Sequence, residues 1–120
     1  MSDEDVLRER VGAYWGYVVK EAFDKSYELE LPLYRKNVSL VDYLRGINNS
    51  VKWVKVEVKG LEITNDVADV EIVMDTKIIA VPMARRGGGD ADMIGLQRTD
   101  KWSKVDGVWY HVPKKLRSGN

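Results

Sequence analysis

The stretch that decides the fold lies near the end of the chain: Asp100-Lys101-Trp102-Ser103-Lys104-Val105-Asp106-Gly107-Val108-Trp109-Tyr110-His111-Val112. Two β-rich runs flank the dipeptide Asp106-Gly107. This dipeptide favours a two-residue hairpin turn, because a type I′ turn requires positive φ at both central residues. The turn predicts the pairs Val105 with Val108, Lys104 with Trp109, Ser103 with Tyr110, and Trp102 with His111.

This register divides the side chains of the hairpin between two faces, since successive residues of a strand point to opposite sides. One face is aromatic and also carries a lysine and the only histidine of the chain: Trp102, Lys104, Trp109 and His111. The other face is mostly aliphatic: Val105, Val108, Tyr110 and Val112. We expect the aliphatic face to cover the core and the aromatic face to contact something else.

The N-terminal half has the apolar spacing of helices. Ser2 opens a capping-box-like pattern, and apolar residues at helical spacing then predict a first helix that ends at about Phe23. A short second helix is predicted over 24–29, before a loop over 33–35. Ser39 offers the cap of a third helix.

From Val51 onward the apolar residues alternate with polar ones, which predicts strands. Trp53 is out of phase with this alternation and suggests a β-bulge. A second strand follows Asn65-Asp66, with its apolar residues on one face and its carboxylates opposite. The segment 85–90 is predicted to connect it to a strand that runs to Val105. Helices followed by strands predict an α+β fold, with N-terminal helices packed on an antiparallel sheet of about four strands.

Composition excludes several classes of function. A chain of 120 residues is one domain, so we treat 1–120 as a single unit. Its 19 basic and 19 acidic residues cancel, which argues against nucleic-acid binding. Without cysteine and with one histidine, the chain has no metal-site pattern, and nothing implies a cofactor.

No apolar run is long enough for a membrane span, and the acidic start predicts a cytoplasmic protein. The sequence leaves open whether a signal or lipoprotein segment has been removed from the protein.

Two segments resemble the nuclear-transport-factor-two-like, or ketosteroid-isomerase-like, superfamily. One comprises 10–15 and 23–35, similar to the first helix and short helix of many bacterial members. The other comprises 100–102 and 105–110, similar to the closing hairpin of the family. The resemblance implies a cystatin-like cone, in which helices pack against a curved sheet around a pocket. The family includes isomerases, dehydratases, hydrolases and non-catalytic ligand-binding or dimerisation domains.

Two hypotheses about function follow. The preferred one is a non-catalytic domain that binds a small apolar ligand or another protein and forms a homodimer through its sheet. Tyr14 and Trp53 are its candidate pocket walls, because aromatic residues line many ligand sites. Its candidate interface residues are Trp102, Trp109 and His111.

The alternative is an isomerase or dehydratase, since enzymes of the family place a carboxylate in the pocket. Asp75 and Asp100 are its candidate bases, and a base buried in an apolar pocket would have a raised pKa. His111 is a third candidate, because the pKa of histidine lies near neutrality. A solvated sheet face is the competing explanation for both carboxylates, and packing is the competing explanation for His111.

Overall fold

The computed structural model describes residues 2–47, 50–79 and 91–114. In these ranges four helices precede four strands, and the helices pack on a strongly curled antiparallel sheet. The α+β fold predicted from the sequence is therefore confirmed. The elements are α1 (Asp3–Val19), α2 (Phe23–Glu28), α3 (Pro32–Asn37), α4 (Leu40–Arg45), β1 (Val51–Thr64), β2 (Val67–Ile78), β3 (Ala91–Val105) and β4 (Val108–His111). The predicted connection over 85–90 lies outside the described residues.

Helices α1 and α4 begin at their predicted caps, but α1 ends earlier than predicted. The side-chain oxygen of Ser2 accepts a hydrogen bond from the backbone N–H of Asp5, and Ser39 caps α4 in the same way. Helix α1 ends before Phe23, because the chain turns at Glu21, where φ is +60°. The predicted loop over 33–35 is wrong. Pro32 instead opens α3, since proline fits the first helical position, where no backbone donor is needed.

The sheet has the strand order β1-β2-β3-β4, with every neighbouring pair antiparallel. All four pairs predicted for the last hairpin are present, and the φ angles of Asp106 and Gly107 are +51° and +81°. The predicted bulge near Trp53 is also present, as a register shift between Trp53 and Lys55.

The sheet has an inner face, which α1 covers, and an outer face on the opposite side. Residues 68, 70, 72, 74 and 76 of β2 lie on the inner face and are buried, as their alternation predicts. The core joins this row to apolar residues of α1: Leu7, Val11, Tyr14, Trp15 and Val18. None of the helices in the described ranges is long and apolar enough to cross a membrane.

The prediction that the valine face of the last hairpin covers the core is wrong. The aromatic face lies inside, and Trp102 and Trp109 are each only 1% exposed. Val105 and Tyr110 on the opposite face are half-buried, and Val108 is exposed. The aromatic face can be buried because its polar atoms find partners there. The indole of Trp109, for example, donates to Asp3 at the start of α1.

Candidate functional site

A buried cluster of hydrogen-bonded polar side chains lies between the helices and the inner face of the sheet. We call it the His111 cluster, and its members come from six places in the chain: Tyr14, Ser26, Glu30, Tyr43, Asp100 and His111. All six side chains are buried, although three of them are ionisable acids or bases of the kind that usually stays in water. This concentration of polar groups in the core requires a physical explanation.

The imidazole of His111 lies between two carboxylates. Its Nδ1 is 2.6 Å from Glu30 Oε1, and its Nε2 is 3.0 Å from Asp100 Oδ1. The backbone aligns Glu30 for this contact. The N–H of His111 donates to the carbonyl of Leu29, and the N–H of Leu31 donates to the carbonyl of His111. Glu30 therefore extends the sheet beyond β4 as a single parallel bridge.

Asp100 is held by three donors. In addition to His111, the indole N–H groups of Trp15 and Trp102 donate to its Oδ2, at 2.9 and 3.2 Å. Burial on its own raises the pKa of the Asp100 carboxyl, but the hydrogen bonds from His111 and the two indoles outweigh it, so that the pKa lies below its usual value. Asp100 is thus an ionised, buried acceptor with a donor on each oxygen rather than a solvated surface carboxylate.

His111 is stabilised as a cation by its two neighbours. Burial lowers its pKa, but hydrogen bonds and charge attraction from Asp100 and Glu30 reverse this effect and raise the pKa to about 9. The ring of Tyr14 stacks on the imidazole at 4.3 Å between centroids. At neutral pH both ring nitrogens therefore carry protons that are already donated to carboxylates.

Two tyrosines complete the hydrogen bonding of the Glu30 carboxylate. The hydroxyls of Tyr14 and Tyr43 donate to Oε2 at 2.6 and 3.2 Å, and Ser26 Oγ lies 2.8 Å from the Tyr43 hydroxyl. Burial and the charge of Glu30 raise the pKa of both phenols, so both stay neutral donors. Each oxygen of the two carboxylates thus has at least one donor.

Two cavities adjoin the His111 cluster. The inner cavity, of about 120 Å³, lies between the helices and the sheet, and its wall is largely aromatic: Tyr14, Trp15, Val18, Phe23, Tyr43, Ile47, Trp53, Arg98 and His111. A neighbouring cavity of about 380 Å³ shares Tyr14, Tyr43, Ile47 and His111 with it and reaches towards α3 and α4. Tyr14 and Trp53, the pocket walls suggested by the sequence, both line the inner cavity.

The other candidate residues lie in different places. Asp75 is on the outer face, where its carboxylate accepts a hydrogen bond from the backbone N–H of Gly95, so it faces neither cavity. Trp102 and Trp109 are core residues of a single chain, and His111 is enclosed with them. The solvated sheet face considered for Asp100 is wrong, because this carboxylate is 1% exposed.

Sequence reasoning missed Glu30 and Arg98. Glu30 lies between Leu29 and Leu31, and this apolar flanking is a weak sign of burial. Arg98 follows the same alternation as Asp100 and Trp102 on β3, which places all three on the inner face. Among the described residues, no group of three or more histidine, aspartate or glutamate side chains is arranged to hold a metal ion.

The fold and the site define an α+β domain whose helices and curled sheet form a small aromatic cavity beside a hydrogen-bonded polar cluster. Its structure is similar to the solution structure of RPA3114, described as a SEC-C motif containing protein from Rhodopseudomonas palustris. The two are 23% identical with a TM-score of 0.56, over 93% of this chain and 76% of that chain. This likeness shows the fold alone. Comparisons with protein-family models and with curated proteins find no match.

Proposed function

We propose that this chain is a non-catalytic, small-ligand-binding domain of the nuclear-transport-factor-two-like superfamily, with the inner cavity as its binding site. The observation that carries the proposal is the aromatic wall of a 120 Å³ cavity beside a polar cluster whose groups are already paired. A cavity of about 150 Å³ holds one benzene ring, so the slightly smaller inner cavity limits its ligand to one ring or a short aliphatic group.

The chemistry of the cluster favours binding over catalysis. A general base needs a pKa near the working pH and a position from which it can reach the substrate's proton. Asp100 has a lowered pKa and three donors, and His111 is a cation whose two protons are shared with carboxylates. Asp100 and His111, the groups near the cavity that the isomerase or dehydratase alternative would use, are therefore bonded within the cluster. The cluster instead forms a rigid part of the cavity wall.

The binding proposal is tested with benzyl alcohol and benzamide, two neutral one-ring probes, by saturation-transfer NMR and calorimetry. We expect dissociation constants on the order of 1 mM, since ligands of this size gain a fraction of a kcal/mol per atom. Ile47→Trp should block the cavity, because Ile47 is half-buried in its wall. Leu44→Trp is the matched control, since Leu44 is exposed on α4 and lines neither cavity. The proposal would be overturned if neither these probes nor benzoate bound the parent protein, or if Ile47→Trp did not weaken their binding.

A second proposal is a homodimer formed through the outer face of the sheet, in place of the buried aromatic face. A groove of about 540 Å³ lies there, and exposed apolar side chains line it from the sheet and from α3: Val67 of β2 is 55% exposed and Leu33 of α3 is 58% exposed. The groove also carries both signs of charge, from Glu62, Asp69 and Lys101. A two-fold contact places a patch against its own copy, so mixed charge permits such pairing.

The dimer proposal predicts that light scattering after size exclusion gives the mass of a dimer for the parent protein. Val67→Glu should give folded monomers, because it introduces a charge into the apolar groove. Val54→Glu, at an equally exposed valine of β1 outside the groove, should stay dimeric. A monomeric parent, or a dimeric Val67→Glu variant, would contradict the proposal.

A further inference from the structure

Arg98 is an arginine at the edge of the core that forms no ion pair with any carboxylate in the described ranges of the chain. It lies on the inner face of β3, is half-buried and lines the inner cavity. Its Nε is buried without a hydrogen-bond partner, the only buried side-chain atom in this condition in the described part of the chain. A buried donor left unpaired is costly, so such an atom needs an explanation.

The nearest acid in sequence on the same face bonds to other groups and not to Arg98. Asp100 lies two residues along β3, but its Oδ1 accepts from His111 and its Oδ2 accepts from Trp15 and Trp102. Glu30 is likewise occupied by His111, Tyr14 and Tyr43. The His111 cluster therefore satisfies its own carboxylates and leaves the guanidinium outside the network.

Packing holds the guanidinium at the cavity wall. The Cζ atom of Arg98 lies 5.7 Å from the centroid of the Trp15 ring, which is within the range of a cation–π contact. Such stacking restrains a guanidinium and leaves the N–H groups at its edge free to donate. Here the restrained edge includes the unpartnered Nε.

We propose that the inner cavity takes a small planar carboxylate, whose ring packs among the aromatic side chains and whose carboxylate accepts hydrogen bonds from Arg98. This inference rests on the proposed ligand-binding function and specifies the class of ligand. A guanidinium presents two parallel N–H groups that match the two oxygens of a carboxylate. The carboxylate would supply the acceptor that the Nε lacks, and the aromatic wall would hold the ring.

The test compares benzoate with benzamide, which have the same shape but differ in charge. For the parent protein, calorimetry should give at least about tenfold tighter binding of benzoate, the gain expected for a charge-assisted pair. In ¹⁵N spectra, benzoate should move the Arg98 Nε–Hε signal downfield, and benzamide should move it less. Both comparisons use the unaltered chain, so they do not depend on the folding of a variant.

Variants then assign the preference for benzoate to Arg98. Arg98→Gln should remove the tenfold preference and leave benzamide binding within about twofold, whereas Arg98→Lys should retain part of the preference. Arg45→Gln is the control, because Arg45 is exposed on α4 and lines neither cavity. Equal binding of benzoate and benzamide to the parent protein, or a preference that survives in Arg98→Gln, would overturn the inference and leave the ligand-binding proposal standing. Failure of all probes would overturn that proposal as well.

Discussion

Raising the pH should destabilise this protein in a range where most globular proteins change little. The group responsible is His111, whose pKa rises from 6.5 to about 9 on folding because Glu30 and Asp100 accept its protons. A folded-state pKa above the unfolded one stabilises the fold fully below the unfolded value, and this stabilisation is lost as the pH rises through the folded value. The relevant window is therefore about pH 6.5 to 9.

The size of the effect follows from the shift in pKa. One pKa unit corresponds to about 1.4 kcal/mol, so the shift of His111 corresponds to roughly 3 kcal/mol of unfolding free energy lost between pH 6 and 9.5. The tyrosines of the cluster do not interfere in this window, because the pKa of each is raised above its ordinary value of 10.

Urea unfolding at half-unit steps from pH 6 to 9.5 measures this loss directly. The NMR titration of the imidazole protons provides an independent readout, and its assignment is unambiguous because His111 is the only histidine in the chain. We expect an imidazole pKa well above 6.5 and a midpoint of unfolding that falls with pH. An imidazole that titrates near 6.5, together with a flat stability profile, would refute the reasoning about the cluster.

Three further predictions concern single residues. Glu30→Gln removes one of the two carboxylates that face His111, so urea unfolding should show a loss of about 3 kcal/mol and the imidazole pKa should fall; an unchanged imidazole pKa would contradict the geometry. The carboxyl-carbon NMR signal of Asp100 should titrate below the ordinary pKa of 3.8, and a value above 5 would instead favour the pocket base of the enzyme alternative. Gly107→Ala should cost about 1 to 2 kcal/mol in thermal unfolding, because φ is +81° there, whereas a neutral effect would mean that the turn can change type.

The strands and the last hairpin could be predicted because their signals are local. The turn at Asp106-Gly107 sets the register of its own hairpin, and the alternation of apolar residues sets the inner face of β2. The starts of α1 and α4 were equally predictable from Ser2 and Ser39, since a cap bonds to a residue only three positions away. Each of these features depends on short-range chemistry that is visible in the sequence.

The burial of the aromatic face could not be predicted, because it depends on contacts between distant parts of the chain. Trp102, Trp109 and His111 carry polar atoms that would be costly in the core without partners. Those partners are Asp100, Asp3 and Glu30, and the last two come from the first 30 residues of the sequence. The valine face had the more familiar apolar pattern, but the position of α1 decided which face was covered.

Glu30 illustrates the same limit at the candidate site. Its side chain bonds to a histidine 81 positions away, and a parallel bridge between Glu30 and β4 aligns the two. The sequence supplied Tyr14, Trp53, Asp100 and His111 as separate candidates with different roles. The fold assigns Asp100 and His111 to one cluster and places Tyr14 and Trp53 in the wall of the cavity beside it.

The measurement that tests the central proposal most directly is chemical-shift mapping of the full chain with benzamide and benzoate. If the inner cavity is the binding site, the largest shifts should fall on Val18, Ile47 and the indole N–H groups of Trp15 and Trp53, which line it. Val67 and Leu33, which line the groove outside the sheet, should be unaffected. Shifts confined to the outer face, or no saturable shifts with either probe, would contradict the account.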